Sequence, residues 1–393
     1  MVSAERKKEI LQDDELGRGF AALVRYGPYL FLSGSDGHRD PETEELDLSL
    51  IHKPIEQCHN AFGRVQRRLE KAGYSGDCVM RLLSYTSGQE WSLKRMATWP
   101  DHFGEVGHSR AIAWGAQAKM ADFNAITAST MALTPDVVRR VVLPQPEYGR
   151  SARLVEAGDF VYAFGIGGAT NPYTKEEVLI TEPDAFRRQH FNNFEMLRSY
   201  IERVPGTLSD FVRLDAGFRR NPDDAKAYRE HTKQLFGGKI PFAHSALPLG
   251  ELAQRMIQLG GIAAAPGVEK QINWSPHDPD IAETVSAGDL VFVSSLFGNR
   301  DPDSGELIRT LYGDPAGQAE LLLRSLQAAL RRAGTDLDSL LSLEVFLRNI
   351  YFQDEFFRIG KDVFGDNPPA ICTTGAELED GQEIVAIGVA AAR

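Results

Sequence analysis

Apolar and polar positions along this chain follow one pattern three times. Val24 to Gly34 reads VRYGPYLFLSG, Val155 to Gly165 reads VEAGDFVYAFG, and Val285 to Ser295 reads VSAGDLVFVSS. Each has a short apolar start, a Gly-centred turn, then a strand of alternating bulk. The spacings are 131 (155 − 24) and 130 (285 − 155). A period this long exceeds the roughly 20–50 residues of solenoid repeats and indicates a repeated domain.

The elements that follow keep the period. Turn-like stretches begin at Asp40 (DPETEEL), Asn171 (NPYTKEE) and Asp301 (DPDSGEL), with Pro behind Asp or Asn as turns prefer. Each is followed by an apolar stripe at helical spacing: Phe62, Val65, Leu69 and Ala72; Phe194, Leu197, Ile201 and Val204; Leu323, Leu326, Leu330 and Ala333. Gly73, Gly206 and Gly334 are the expected helix stops. Strand-like VMRLLSYTS, FVRLDAGF and LLSLEVFLR come next. A second helix is predicted from Pro222, with Ala225, Tyr228, Thr232 and Leu235 on one stripe, and another over DEFFRIGKDVF. In the first copy Pro100 predicts a short or bent helix. KMADFNAITAS, RMIQLGGIAAA and QEIVAIGVAAA close the copies as strands apolar enough to be buried on both faces.

The predicted order in each copy is therefore β-β-α-β-α-β-β, a mixed sheet with two helices on one face. The other face needs a cover, and two sister sheets supply it. The expected fold class is α+β, with three tandem domains around a pseudo-threefold axis, sheets inward and helices outward. Pro-rich links (LPQPEYG and APGVEKQINWSPHDPD) put the boundaries at 1–135, 136–266 and 267–393. The first nineteen residues read as a charged leader.

Composition narrows the function. The net charge of −12 argues against a nucleic-acid partner, since phosphate binding wants a basic face. Cys58, Cys78 and Cys372 show no CxxC spacing, no secretory signal is evident, and no apolar run is long enough to span a bilayer. The expectation is a cytoplasmic protein without disulfides, membrane partner or cofactor. The nine His form no HExxH, so no metal is expected; His52 and His59 read as a solvated helix face. FGIGGATNPY, Phe164 to Tyr173, lacks the strand–GxGxxG–helix context of phosphate binding and reads as a turn. The pairs Arg67-Arg68, Arg219-Arg220 and Arg331-Arg332 read as outer, hydrated charges.

Three features together resemble the Rid (YjgF-type) family of imine and enamine deaminases. They are the strand ending Leu32-Ser33-Gly34, the NPxT or DPxSGE turn, and the helix ending in KAG (Lys71 to Gly73) or RAG (Arg332 to Gly334). The resemblance covers about the whole chain in three copies. It implies a chorismate-mutase-like fold and a family homotrimer fused into one polypeptide, with ligand clefts between neighbours. The partner it implies is a small carboxylated metabolite, bound by a pseudo-trimeric monomer with homodimerisation left open.

In that family an Arg before the last hairpin grips the substrate carboxylate and a Glu in the final strand helps activate water. Stepping back from ITAS, IAAA and VAAA puts Asp122, Gln258 and Val385 at the Glu place, and His108, His244 and Ile371 at the Arg place. The spacing is 14 in each copy (122 − 108, 258 − 244, 385 − 371). The family Arg is thus absent from all three aligned places. Arg110, two residues after His108, shares its strand face and suits a bidentate carboxylate pair.

The leading expectation is hydrolysis of an imine, enamine or related C–N bond. Arg110 anchors the carboxylate, and His108 with Asp122 activates water. Ser33 and Gly34 offer groups to ligand, and His244 with Gln258 forms a second, binding cleft. The third cleft, with Ile371 and Val385, is apolar, and Cys372 reads as buried. The alternatives are a chorismatase-like hydrolase or lyase, and a non-catalytic small-ligand-binding protein.

Overall fold

The computed structural model describes residues 6–14, 17–87, 98, 101–103, 111–117, 124, 126–145, 151–219, 222–248 and 255–393. They form three sections of one design. The first holds β1 (Lys8–Asp13), β2 (Ala21–Tyr26), β3 (Tyr29–Asp36), β4 (Val79–Thr86), β5 (Ala111–Gln117) and β6 (Ile126–Leu133). Their spatial order is β1-β2-β3-β6-β4-β5, antiparallel except for the parallel β4–β5 pair.

The second section repeats the order with β7 (Arg139–Gln145), β8 (Ser151–Ala157), β9 (Phe160–Gly167), β10 (Phe211–Phe218), β11 (Ala243–Pro248) and β12 (Ile257–Ala264). The third repeats it with β13 (Lys270–Trp274), β14 (Ala282–Ala287), β15 (Leu290–Phe297), β16 (Leu340–Leu347), β17 (Ala370–Gly375) and β18 (Ile384–Ala391).

The sheets join head to tail. β5 meets β8 at Ala111 and Ala152, and β17 meets β2 at Ala370 and Ala21. Between the second and third sections, Ala282 N donates to Ile240 O at 3.0 Å and Ile240 N to Asp280 O at 2.7 Å.

The helices follow from their stripes. α1 (Pro54–Lys71) and α4 (Pro315–Arg332) start with Pro, whose missing N–H costs nothing in a first turn. Asp314 caps α4 by accepting from Gly317 N. Gly73 and Gly334 take φ of 81° and 78°, the left-handed stop expected of them. α2 (Ala185–Ile201) ends differently: Gly206 has no positive φ, and its turn runs through Pro205. α3 (Pro222–Leu235) and α5 (Gln353–Phe364) supply the second helices of the later sections.

Each section packs its helices on one sheet face, as Phe62, Phe194 and Leu323 do in three separate clusters. The other faces meet in one shared cluster, with Phe31, Phe160 and Phe292 from the three sections. The β-β-α-β start predicted for each copy omitted an edge strand. β1 lies inside the supposed charged leader, and β7 and β13 lie inside the supposed links; each pairs with the next strand along the chain. Their mixed polar sequences (KEILQD, RRVVLPQ, KQINW) suit an edge strand, which is why they read as linkers.

An ion network crosses the shared core. Arg81 of the first section reaches Glu344 Oε1 of the third at 2.9 Å and Asp215 Oδ2 of the second at 3.1 Å. Arg213 donates to Asp215 at 3.0 Å and to Glu344 Oε2 at 2.6 Å. Ser129 and Ser245 each donate at 2.9 Å, to Glu344 and Asp215 respectively. Two cations and two carboxylates cancel in a water-poor interior, where either sign alone would be costly. The flanking guanidinium groups hold the Glu344 carboxyl down at about 2 against the desolvation that opposes ionisation. Sequence reasoning passed over these residues, although a charge in the middle of FVRLDAGF or LLSLEVFL is unusual for a strand so apolar.

Candidate functional site

Two described seams use the same clamp. Ser33 Oγ donates to Ala21 O at 2.6 Å and accepts from Ile371 N at 2.7 Å. Ser294 Oγ donates to Ala282 O at 2.6 Å and accepts from His244 N at 3.1 Å. Each serine thus ties its own hairpin to the neighbouring section's parallel strand. At the remaining seam Phe164 stands in this place, so that clamp is absent there. Ser33 is fully buried with its hydroxyl engaged both ways, which leaves nothing for a ligand. Gly34 packs against the third section, where a Cβ would stand 3.1 Å from Cys372 Sγ. Both residues therefore belong to the seam that β17 makes with the first section. β5, which follows His108 and Arg110, lies instead at the seam with the second.

The seam between the second and third sections opens into a cavity of about 410 Å³. His244 from β11 and Arg229 from α3 form one wall. Ser294, Ser295 and Phe297 from β15, Arg300 and the Asp301–Glu306 turn, and Ser325 and Arg332 from α4 form the other. Asp278, His277 and Glu283 also line it.

His244 is 8% exposed, its ring stacked on Tyr228 with centroids 6.4 Å apart. Burial, and then the Arg229 charge, push its pKa down to about 4, so the imidazole is neutral near pH 7. Its Nδ1 is buried without a hydrogen-bond partner, and so is Ser295 Oγ. Both residues line the cavity, and each carries a polar atom that finds no partner within the protein.

The charged lining is mostly matched. Arg332 forks onto Glu283 at 2.7 and 2.6 Å, Arg229 lies 3.5 Å from Glu379, and Asp278 takes Lys233 at 3.2 Å. Asp301 is spent on its own turn, accepting from Asp303 N and Ser304 N. Arg300 is exposed and gives one N–H to Gly305 O at 3.0 Å, which leaves most of its fork for an anion.

His244 and Gln258 are not brought together. Ser245, next to His244, reaches the axis network, so His244 faces the helices. Gln258 pairs with Gly217 on the strand whose Arg213 and Asp215 point to the axis, and lies on the opposite face. An even sequence spacing preserves a face along one strand only; here residues 249–256 intervene between two strands.

His108, Arg110 and Asp122 lie outside the described residues. The alignment that chose His108 and Asp122 fails on strand register. Leu82, Leu214 and Leu343 pair with Ile112, His244 and Ile371, so Ile112 holds the place assigned to His108. Tyr85, Gly217 and Phe346 pair with Thr127, Gln258 and Val385, so Thr127 holds the place assigned to Asp122. Arg229, Ser295 and Arg300 were not foreseen. Arg300 directly precedes the DPDSGEL turn, and Ser295 stands where the earlier copies have Gly34 and Gly165; those were the available signals.

The seam between the third and first sections is filled by charge. Arg64 is fully buried, donating to Glu44 Oε1 at 2.9 Å, to Glu44 Oε2, and to Asp36 O at 3.0 Å. Arg68, read from sequence as hydrated, is buried and bonds Ser33 O at 3.0 Å and Ser35 Oγ at 3.2 Å. Its neighbour Arg67 is half-buried and pairs with Glu42. Arg18 forks onto Asp14 at 3.0 and 2.9 Å and covers the rings of Phe20 and Phe357. Cys372 is buried, as read. Among the described residues no group of three His, Cys, Asp or Glu could hold a metal ion, and no helix is long and apolar enough to cross a membrane.

No family model matches the chain. A stretch of 89 residues, 23% of this chain, is 24% identical to a RutC family protein of Pyrococcus abyssi (strain GE5 / Orsay), covering 67% of it. A chorismatase crystal structure superposes with a TM-score of 0.51 at 14% identity, over 80% of this chain and 93% of that one. A member of the conserved Rid protein family from Yersinia pestis matches 31% of this chain and 99% of its own length, at 22% identity and a TM-score of 0.29. The chain is similar to a RutC family protein over about a quarter of its length, and shares the fold of a chorismatase over most of it.

Proposed function

We propose that this protein is a fused pseudo-trimer of Rid-like domains, bounded at 1–135, 136–266 and 267–393, that hydrolyses a small carboxylated imine or enamine. The cleft between the second and third domains is its ligand site. The observation that carries this is a cavity of small-metabolite size lined by His244 and Ser295, each with a buried polar atom that lacks a partner, and by the exposed Arg300.

In this reading Arg300 takes the carboxylate. Neutral His244 and the Ser295 hydroxyl hold the imine nitrogen and the attacking water. Water adds to the C=N carbon, the nitrogen takes up the protons, and the C–N bond breaks to give an oxo acid and ammonia. The lining carries Asp278 and Glu306 as well as its arginines, which suits a substrate with both a cationic nitrogen and an anionic carboxylate. His108, Arg110 and Asp122 remain a separate proposal for the seam between the first and second domains.

A second reading takes its support from the chorismatase likeness: hydrolysis of an enol ether, releasing pyruvate in place of ammonia. One assay separates the two. The purified protein is given freshly generated 2-iminobutyrate or chorismate, and ammonia and pyruvate are followed together. Accelerated ammonia release, lost in Arg300→Gln, supports the imine reading. Pyruvate release supports the enol ether. Ligand binding with neither product leaves the non-catalytic alternative.

A further inference from the structure

The seam between the third and first sections has the same walls as the open cleft, with different side chains. Glu44 and Gly305, Arg64 and Ser325, and Arg39 and Arg300 each stand 261 residues apart (305 − 44, 325 − 64, 300 − 39). Gly305, Ser325 and Arg300 all line the open cavity. Glu44 and Arg64 lie against each other, buried, in the corresponding place. Arg39 even repeats the bond of Arg300, giving NH1 to Glu44 O at 3.0 Å.

We infer that this seam is a carboxylate-binding site that the chain's own Glu44 occupies, and that a small carboxylate ligand can displace it. Glu44 belongs to the turn from Asp40 to Glu45, whose Glu42 and Thr43 are exposed. Its φ is 59°, and its counterparts Lys175 and Gly305 take 62° and 73°. The backbone is therefore the same in all three turns, whatever the residue. Lys175 points to solvent and Gly305 has no side chain, whereas Glu44 is buried to a relative exposure of 5%. The turn geometry does not bury Glu44; the Arg64 fork does, as it would bury any planar carboxylate.

The surrounding charge favours an anion too. Arg18, Arg39, Arg64 and Arg68 share one neighbourhood with Asp14, Asp36 and Glu44, four cations against three anions. Arg39 Nε and His38 Nδ1 are buried there without partners. Withdrawing Glu44 would leave buried Arg64 to Asp36 Oδ2, 4.0 Å away, and would take from buried Arg68 a carboxylate at 3.8 Å, a drive to take another anion in. The proposal does not rest on the function assigned to the other cleft.

The test places Glu44→Gly, the residue of the third section's turn, in an Arg300→Gln background, so that binding at the other cleft does not mask the result. Pyruvate is the probe, and calorimetric titration counts sites and affinity. The expected result is a site, beyond the residual binding at the open cleft, that takes pyruvate about tenfold more tightly than the same seam does in Arg300→Gln alone, because no internal competitor has to leave. Adding Arg64→Met should abolish it. Glu44→Gln keeps the side chain's shape and should show the same gain at smaller size, so the result stands if the glycine variant folds poorly. No gain in either variant, or a gain that survives Arg64→Met, overturns the proposal.

Discussion

The open seam and the filled seam share a clamp serine, a parallel strand pair and matching turns, yet one opens into a cavity of about 410 Å³ and the other buries a salt-bridged cluster. The difference lies in a few positions. Ser325 and Gly305 leave space where Arg64 and Glu44 fill it, and His244 stands where Ile371 does. In a homotrimer every substitution appears at all three interfaces. In a single chain with three sections each seam varies alone, so one can serve a ligand and another can serve cohesion.

The largest effect should come from what both seams share. Glu344→Ala removes one of the two carboxylates that Arg81 and Arg213 share, and should cost about 3–5 kcal/mol in urea unfolding. The folded pKa of Glu344 lies below the ordinary 4.5, so its stabilisation is complete above 4.5 and is lost as pH falls toward about 2. Acid unfolding of the parent in that window, blunted in the variant, is the expected signature.

The comparison itself is tested by paired substitutions. Arg64→Met strands buried Glu44 and should cost about 3 kcal/mol, whereas exposed Arg300→Gln should stay within about 0.5 kcal/mol. Equal costs would erase the distinction between the two seams. In binding the order reverses: Arg300→Gln should weaken carboxylate affinity at the open cleft about tenfold, near 1.4 kcal/mol, and Arg64→Met should leave it unchanged.

His244 supplies a pH test. Its folded pKa is lowered from 6.5 to about 4, so its contribution to stability is intact above 6.5 and declines as pH falls toward 4. Ring NMR signals should show no protonation between pH 8 and 5. A modest effect is expected at the clamps: Ser33→Ala and Ser294→Ala should each cost about 1 kcal/mol, the loss of a buried hydrogen-bonded serine.

The sequence carried the architecture well because its signals are local. Gly73 and Gly334 end helices through their own backbone freedom, and the stripes of Phe62 and Leu323 need only helical spacing. It carried the site poorly because the site depends on register. His108 and Asp122 were matched by counting residues through loops, and loop length is free to change between copies. Pairing in the sheet put Ile112 and Thr127 in those places. The axis network was visible as charges inside apolar strands, but its meaning needed three sheets to converge.

The most direct test of the ligand cleft is the His244 side-chain ¹⁵N signal during titration with pyruvate, the oxo-acid product class of the proposed reaction. A saturable shift of Nδ1, displaced to about tenfold higher concentration in Arg300→Gln, is predicted. Saturable pyruvate binding that leaves the His244 signal unmoved, or no binding at all, would contradict the placement of the site between the second and third sections.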